Sequence, residues 1–345
     1  MTFDEALDVV CGTTDPAVLF AAHGYRELAR VLHPDAVPAH RRDAATEAFA
    51  RLGRLWETHR DGVTLRTATA TYRLGASPRH RGDVADLYDV GGDRLLKLPR
   101  HPSDNDLMER ETSALRTIAS RGDPRFLTYL PRLVDSFRHR DPATGAERRV
   151  NVIGTAGGLH PLTEVRRAYP DGLPPRDAAW MWRRLLIALS VAHRAGVVHG
   201  AVLPPHILIH PAERGLVLID WCYSVDFSGR THHGRSAAVP TGPGALAHTA
   251  GVVPAMVPGY ADWYPPEVPA KEPPLAGTDL AMAARVMTEL MGDRAPKALT
   301  HFAAGCRLPH LRQRPDDALR LLAELDGVLD RLFGPRVFTP FRLNP

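Results

Sequence analysis

The chain has 345 residues, 44% hydrophobic and 24% charged, with 43 Lys or Arg against 39 Asp or Glu for a net charge of +4. That is enough chain for two or three domains with a sizeable core, and its charge is too balanced to call for nucleic acid as a partner. There is no apolar run of about 18 residues or more and no charged-then-apolar leader, and Cys11, Cys222 and Cys306 lie far apart, so no membrane partner is expected and a soluble, reduced, cytoplasmic protein is.

Residues 1–60 read as helical. Phe3, Ala6, Leu7 and Val10 recur at helical spacing. Asp15-Pro16 opens a second helix as N-cap and first-turn proline, and Val18, Leu19, Ala22, Tyr25, Leu28, Ala29 and Leu32 give it one apolar face. It stops at His33-Pro34-Asp35. A third helix follows with Ala44, Ala45, Ala48, Phe49, Leu52, Leu55 and Trp56 on one stripe. Tyr25-Arg26-Glu27-Leu28-Ala29 running into His33-Pro34-Asp35 between two helices resembles the J-domain of DnaJ-type co-chaperones. The resemblance implies an antiparallel helical pair presenting His33, Pro34 and Asp35 at its tip. Arg26 and Arg30 would be basic contacts, and the partner would be a DnaK-type chaperone whose ATP hydrolysis the tip triggers. The family often has Lys after the Asp; here it is Ala36.

Residues 61–71, from Asp61-Gly62 through a Thr/Ala-rich stretch, read as a linker. A strand pattern begins at Tyr72-Arg73-Leu74-Gly75. Leu87-Tyr88-Asp89-Val90 and Arg94-Leu95-Leu96-Lys97-Leu98 are joined by Gly91-Gly92-Asp93, a hairpin turn. Only three of the 43 basic residues are lysines, Lys97, Lys271 and Lys297, a skew that fits a GC-rich genome. A compact ammonium kept on an apolar strand at Lys97 therefore stands out. Glu111 follows 14 residues later in an amphipathic helix, with Glu109 as the runner-up partner. Two more strands, around Leu133–Phe137 and Val150–Ile153, lead to a break at Gly154–Gly158. Asp177 then opens a long helix with Ala178, Met181, Leu185, Leu189 and Ala192 on its buried face, ending near Gly196.

The centre of the chain is Val197–Ile209 followed by Leu216–Cys222, two apolar runs with a polar loop between them. His199, His206 and Asp220 remain as polar residues at the strand ends, and a carboxylate there requires a partner or a metal. This layout, with Lys97 and Glu111 upstream, resembles the protein kinase fold, in which a catalytic loop His-Arg-Asp-Leu-Lys-Pro-Glu-Asn precedes a metal loop Asp-Phe-Gly. His199 matches the family's histidine, Ala201 falls where the catalytic Asp stands, Leu203 where the loop Lys stands, and His206 where the metal-binding Asn stands. Asp220 matches the metal-binding Asp, with Trp221 and Cys222 in place of Phe and Gly. Pro265-Pro266-Glu267 matches the family's Ala-Pro-Glu, Asp279 the Asp that ties down the catalytic loop, and Arg314 the partner of Glu267. The segment between Asp220 and Glu267, rich in Gly, Pro and His, reads as a long docking or activation-type loop.

The resemblance implies an α+β chain of bacterial or phage type. Its parts are J-domain-like helices (1–60), a linker (61–71), a kinase-like small lobe and hinge (72–158), a large lobe (159–333) with an activation-type segment (220–267), and a tail (334–345). It implies ATP or ADP with Mg as cofactor, Gly82, Lys97, Glu111, Thr155, Ala156 and Asp220 as nucleotide-binding residues, and Asp220 with His206 as metal ligands. His199, Glu267, Asp279 and Arg314 would be structural. No catalytic residue is assigned, because the methyl group of Ala201 cannot accept a proton. The expected function is a co-chaperone fused to a pseudokinase that binds a nucleotide or a client protein. The alternative is an atypical transferase of phosphate or AMP using Lys97 and Asp220.

Overall fold

The computed structural model describes every residue except 14–15, 62, 76, 142–143, 155, 228–250, 339–340 and 344–345. The chain divides into two compact units, Met1–Met108 with Leu133–Thr155, and Glu109–Arg132 with Ala156–Pro345.

In the first unit, α1 (Phe3–Gly12) is opened by a reciprocal cap. Thr2 Oγ1 accepts from Glu5 N at 3.3 Å, and Thr2 N donates to Glu5 Oε2 at 2.7 Å. The single second helix expected from the apolar pattern is two helices, α2 (Pro16–Ala22) and α3 (Tyr25–Leu32), separated by an extended Gly24 with ψ of 135°. Glycine is a poor helix former, and the break takes Val18 off the apolar face, leaving it 47% exposed. The next helix, α4 (Arg42–Asp61), buries Ala45, Ala48, Leu52 and Leu55. Leu28 and Leu32 pack with Leu52 and Leu55 in the core of this helical region. Tyr25 stacks on Trp56 at 4.8 Å, whereas His33 at the other end of α3 meets Phe49 at 5.2 Å. Partner numbers fall as α3 advances, so the two helices run antiparallel.

The stretch expected as a linker contains a strand. β1 (Val63–Arg66) pairs antiparallel with β2 (Thr71–Leu74), and Leu65 is 1% exposed. Burial of that one apolar side chain is what turns the segment from connector into structure. Next come β3 (His80–Arg81), β4 (Ala85–Asp89) and β5 (Arg94–Pro99). The turn between β4 and β5 uses left-handed backbone at Gly91, Gly92 and Asp93, with φ of 79°, 61° and 52°. Helix α5 (Asn105–Arg121) is followed by β6 (Arg132–Arg140) and β7 (Glu147–Gly154). The sheet order is β3-β4-β5-β7-β6, over a core of Leu65, Tyr72, Leu74, Leu96, Val150 and Val152. The first turn of α5 is tied to β7. Asn105 Oδ1 accepts from Arg149 N at 2.6 Å, and Asn151 Nδ2 donates to Met108 O at 2.9 Å.

The second unit takes the remainder of α5, then β8 (His160–Pro161), α6 (Leu162–Ala168), α7 (Pro175–Arg194), β9 (Val197–Val198), β10 (Ile207–His210), β11 (Gly215–Leu218), β12 (Val225–Asp226), α8 (Ala276–Met291), α9 (Lys297–Cys306) and α10 (Ala318–Phe333). α7 buries Met181, Trp182, Leu185, Leu186 and Leu189 and is its central helix. β10 pairs antiparallel with β11, placing Ile207 opposite Leu218, and β12 pairs with β9. The tail docks on its own unit: Phe341, 4% exposed, lies 6.0 Å from the rings of Tyr169 and Trp180. No disulfide joins the cysteines. Among the described residues no helix is long and apolar enough to cross a membrane.

Candidate functional site

The polar groups of the second unit converge where β9 ends, between the β10–β11 hairpin and the start of α8. Asp279, wholly buried in the first turn of α8, accepts three hydrogen bonds. They come from His199 N (2.8 Å) and His193 Nε2 (2.8 Å) on Oδ2, and from Gly200 N (2.9 Å) on Oδ1. The turn it clamps requires glycine, since Gly200 has φ of 76° and a Cβ there would lie 2.6 Å from Tyr223 O. His199 is also wholly buried. Its Nε2 faces Ile219 O at 2.9 Å and its Nδ1 faces Ala201 N at 3.2 Å. A carbonyl only accepts and an amide only donates, so the ring is neutral with its proton on Nε2. Burial pushes its pKa down to about 4, against a smaller opposing pull from Asp279.

Ala201 itself is buried, with its N–H turned to His199 and its carbonyl accepting from His206 Nδ1 at 2.8 Å. At the position where the kinase resemblance expects a proton acceptor there is thus a packed methyl group. His206 is 4% exposed, stacks near Tyr223 (6.2 Å, 17°), and sets Nε2 3.2 Å from Asp220 Oδ2. Asp220 has left-handed backbone, φ 66° and ψ 66°, a conformation Asp tolerates better than most residues. Next to it, Trp221 turns into the interior: it is fully buried, donates Nε1 to Leu218 O at 2.9 Å and meets His199 edge-on at 4.6 Å. Glu267 and Arg314 form a buried bidentate pair at 2.7 and 3.1 Å. Thr278 Oγ1 also donates to Glu267 Oε1, at 2.8 Å, and Arg314 further donates to Leu308 O and Pro309 O.

Two residues to which the sequence reading gave no role matter here. His193 completes the Asp279 clamp from 86 residues away, and its only sequence signal is a histidine in the last turn of α7. Cys222, noted only as a replacement for glycine, places Sγ with carboxylate oxygens of Glu111 and Asp220, all within 4.8 Å of one another. Glu111 and Cys222 are wholly buried. The kinase resemblance implies magnesium at Asp220, a cation that prefers six oxygen donors. The donor set is mixed: Glu111 and Asp220 offer the carboxylate oxygens such an ion takes, whereas Cys222 Sγ and the His206 nitrogen 3.2 Å from Asp220 Oδ2 are donors it takes poorly.

In the first unit, Lys97 on β5 is 4% exposed and sits opposite Leu87 on β4 and Asn151 on β7. Gly82 closes a tight turn. Its N donates to Ala85 O at 3.0 Å, and a Cβ would lie 2.6 Å from that oxygen, so the turn alone accounts for the glycine. Arg79 pairs with Asp89 at 3.1 Å. His33 and Asp35 are exposed at the junction following α3, with Asp35 N donating to His33 Nδ1 at 3.2 Å; Pro34 is half-buried, and Arg26 and Arg30 project from α3 into solvent. Ala156 is exposed in the second unit. Thr155, the His232-His233 pair and much of the activation-type segment lie outside the described residues.

No protein-family model matches the chain. A stretch of 86 residues is 36% identical to casein kinase II subunit alpha' of Saccharomyces cerevisiae, covering 22% of this chain and only 25% of that protein's length. Vaccinia related kinase 3 is similar in structure with a TM-score of 0.57 and 15% identity, over 79% of this chain and 91% of that one. The kinase domain of Mycobacterium tuberculosis PknI is similar with a TM-score of 0.51 and 14% identity, over 76% and 97% of the two chains. The fold is protein kinase-like.

Proposed function

We propose that this protein recruits a DnaK-type chaperone through His33, Pro34 and Asp35, with Arg26 and Arg30 as basic contacts. The chaperone is brought to a cytoplasmic kinase-like domain that holds a nucleotide or a client protein and does not transfer phosphate. Residues 1–60 are the recruiting module in this reading. The observation that carries it is the environment of Ala201: its methyl is buried and both its backbone polar groups are bonded to His199 and His206, so position 201 itself offers no carboxylate where the kinase resemblance expects the proton acceptor. The exposed turn closing an antiparallel helical pair supports the recruiting half.

The recruiting half is tested by DnaK ATP turnover in the presence of wild type and His33→Gln. Stimulation by wild type and its loss in the variant are expected; no stimulation by wild type removes that half. The nucleotide half is tested by thermal unfolding with ATP or ADP, using Lys97→Ala as the control. A ligand that binds only the folded state raises the transition temperature, and no shift with either nucleotide removes it. Buried Lys97 and Glu111, with Asp220, favour a second reading, an atypical transferase of phosphate or AMP. Equal, negligible labelling from labelled ATP by wild type and Asp220→Ala would dispose of it.

A further inference from the structure

We propose that Glu111, Asp220, Cys222 and His206 form a closed site for a zinc-type dication, so that the place the kinase resemblance gives to magnesium takes a softer ion. The inference concerns the chain alone and does not depend on nucleotide binding. All four residues belong to the second unit. A carboxylate oxygen of Glu111, one of Asp220 and the Cys222 sulfur lie within 4.8 Å of one another. His206 adds its Nε2, 3.2 Å from Asp220 Oδ2. Donors around tetrahedral zinc, at about 2.0–2.3 Å from the ion, stand about 3.3–3.7 Å apart, so the spacing here is that of ligands awaiting small side-chain adjustments.

The chemistry of the set selects the ion. Zinc accepts thiolate, imidazole and carboxylate together, and four protein ligands are its usual number in a structural site. Magnesium demands an octahedron of oxygens and would find two carboxylates. Sulfur and imidazole donors move the preference the same way. The histidine is also supported as a metal ligand needs to be. His206 is 4% exposed, and its other ring nitrogen, Nδ1, is anchored 2.8 Å from Ala201 O. A ring held by a backbone carbonyl on one side presents the opposite nitrogen in a fixed direction, here toward Asp220. Ala201 in turn follows directly on His199 and Gly200, whose amides Asp279 binds. One ion would join α5, which carries Glu111, to the turn after β11, which carries Asp220 and Cys222. With all four positions filled by protein, none is left for a phosphate oxygen, and the ion is structural.

The test uses the full chain, stripped of metal with a chelator. It is titrated with Zn2+ against a chromophoric competitor, and separately with Co2+ followed by absorption. One equivalent of zinc should bind and resist about a thousandfold excess of Mg2+. Co2+ should give the visible bands of a tetrahedral ion together with a thiolate-to-cobalt charge-transfer band. Cys222→Ser should abolish that band, and Glu111→Gln should weaken zinc by at least about tenfold. Cys11→Ser and Cys306→Ser should keep the wild-type spectrum. Asp83, an exposed carboxylate of the first unit, is outside the set, and Asp83→Ala should bind as wild type does. Urea unfolding of each metal-free variant checks that it folds, and the wild-type Co2+ spectrum decides even where a variant does not. A wild-type chain that binds no zinc, takes up Co2+ without the thiolate band, or yields its zinc to that excess of Mg2+ overturns the proposal. So does Cys222→Ser holding zinc with wild-type affinity, which would place the ion elsewhere, or loss of binding in Asp83→Ala, which would mean that these four ligands do not suffice.

Discussion

Replacing Asp279 by Ala removes an acceptor on which three donors converge, two of them buried backbone N–H groups of residues 199 and 200. A buried donor left without its acceptor costs about 1–3 kcal/mol, so the two amides alone predict a loss near 4 kcal/mol, with His193 adding to it. At roughly 2–4 °C per kcal/mol for a domain of this size, the transition should fall by about 10 °C. Asp279→Asn keeps one acceptor oxygen but turns an NH2 toward a donor, and should lose about half as much. Urea unfolding followed by tryptophan fluorescence is suited to the measurement, since Trp180, Trp182, Trp221 and Trp263 all lie in the second unit and only Trp56 in the first. Hydrogen exchange at the His199 and Gly200 amides reads the same clamp locally. If Asp279→Ala unfolds within about 1 kcal/mol of wild type, or those two amides stay as protected as before, the clamp contributes little and the reasoning fails.

The remaining predictions concern acid, a buried ion pair and a turn. His199 titrates near 4 when folded and near 6.5 when unfolded, so the unfolded chain takes up the proton first as pH falls. Its contribution is whole above pH 6.5 and is lost between 6.5 and 4, by about 3 kcal/mol, which urea midpoints across that range will register. A flat profile there would contradict the neutral, buried assignment. Arg314→Ala strips Glu267 of both guanidinium bonds and should cost about 3–5 kcal/mol, while the double variant with Glu267→Ala should lose less than the two single losses added together. Gly82→Ala forces a Cβ to 2.6 Å from Ala85 O and should cost about 1–3 kcal/mol by thermal unfolding. An unchanged transition would mean that the turn is not what requires glycine.

Local rules made much of the chain readable before any coordinates. Helical spacing of apolar residues marked α1, α4 and α7, and Gly91-Gly92-Asp93 between alternating runs marked the β4–β5 hairpin, because both depend on residues only a few positions apart. Where a local rule met a competing one, the reading slipped. Gly24 interrupts what the apolar face alone predicts as one helix, and Leu65 draws a polar-looking connector into a sheet. The alanine at position 201 is likewise a fact of sequence, and it puts a methyl group where the kinase resemblance expects a proton acceptor. Tertiary structure decided where the buried polar groups are satisfied: His193 and the turn at residues 199–200 on Asp279, His206 between Ala201 O and Asp220, Cys222 beside Glu111 and Asp220. Those partners stand 2 to 111 residues apart, and even the near ones meet through the path of the folded backbone, which no short-range pattern encodes.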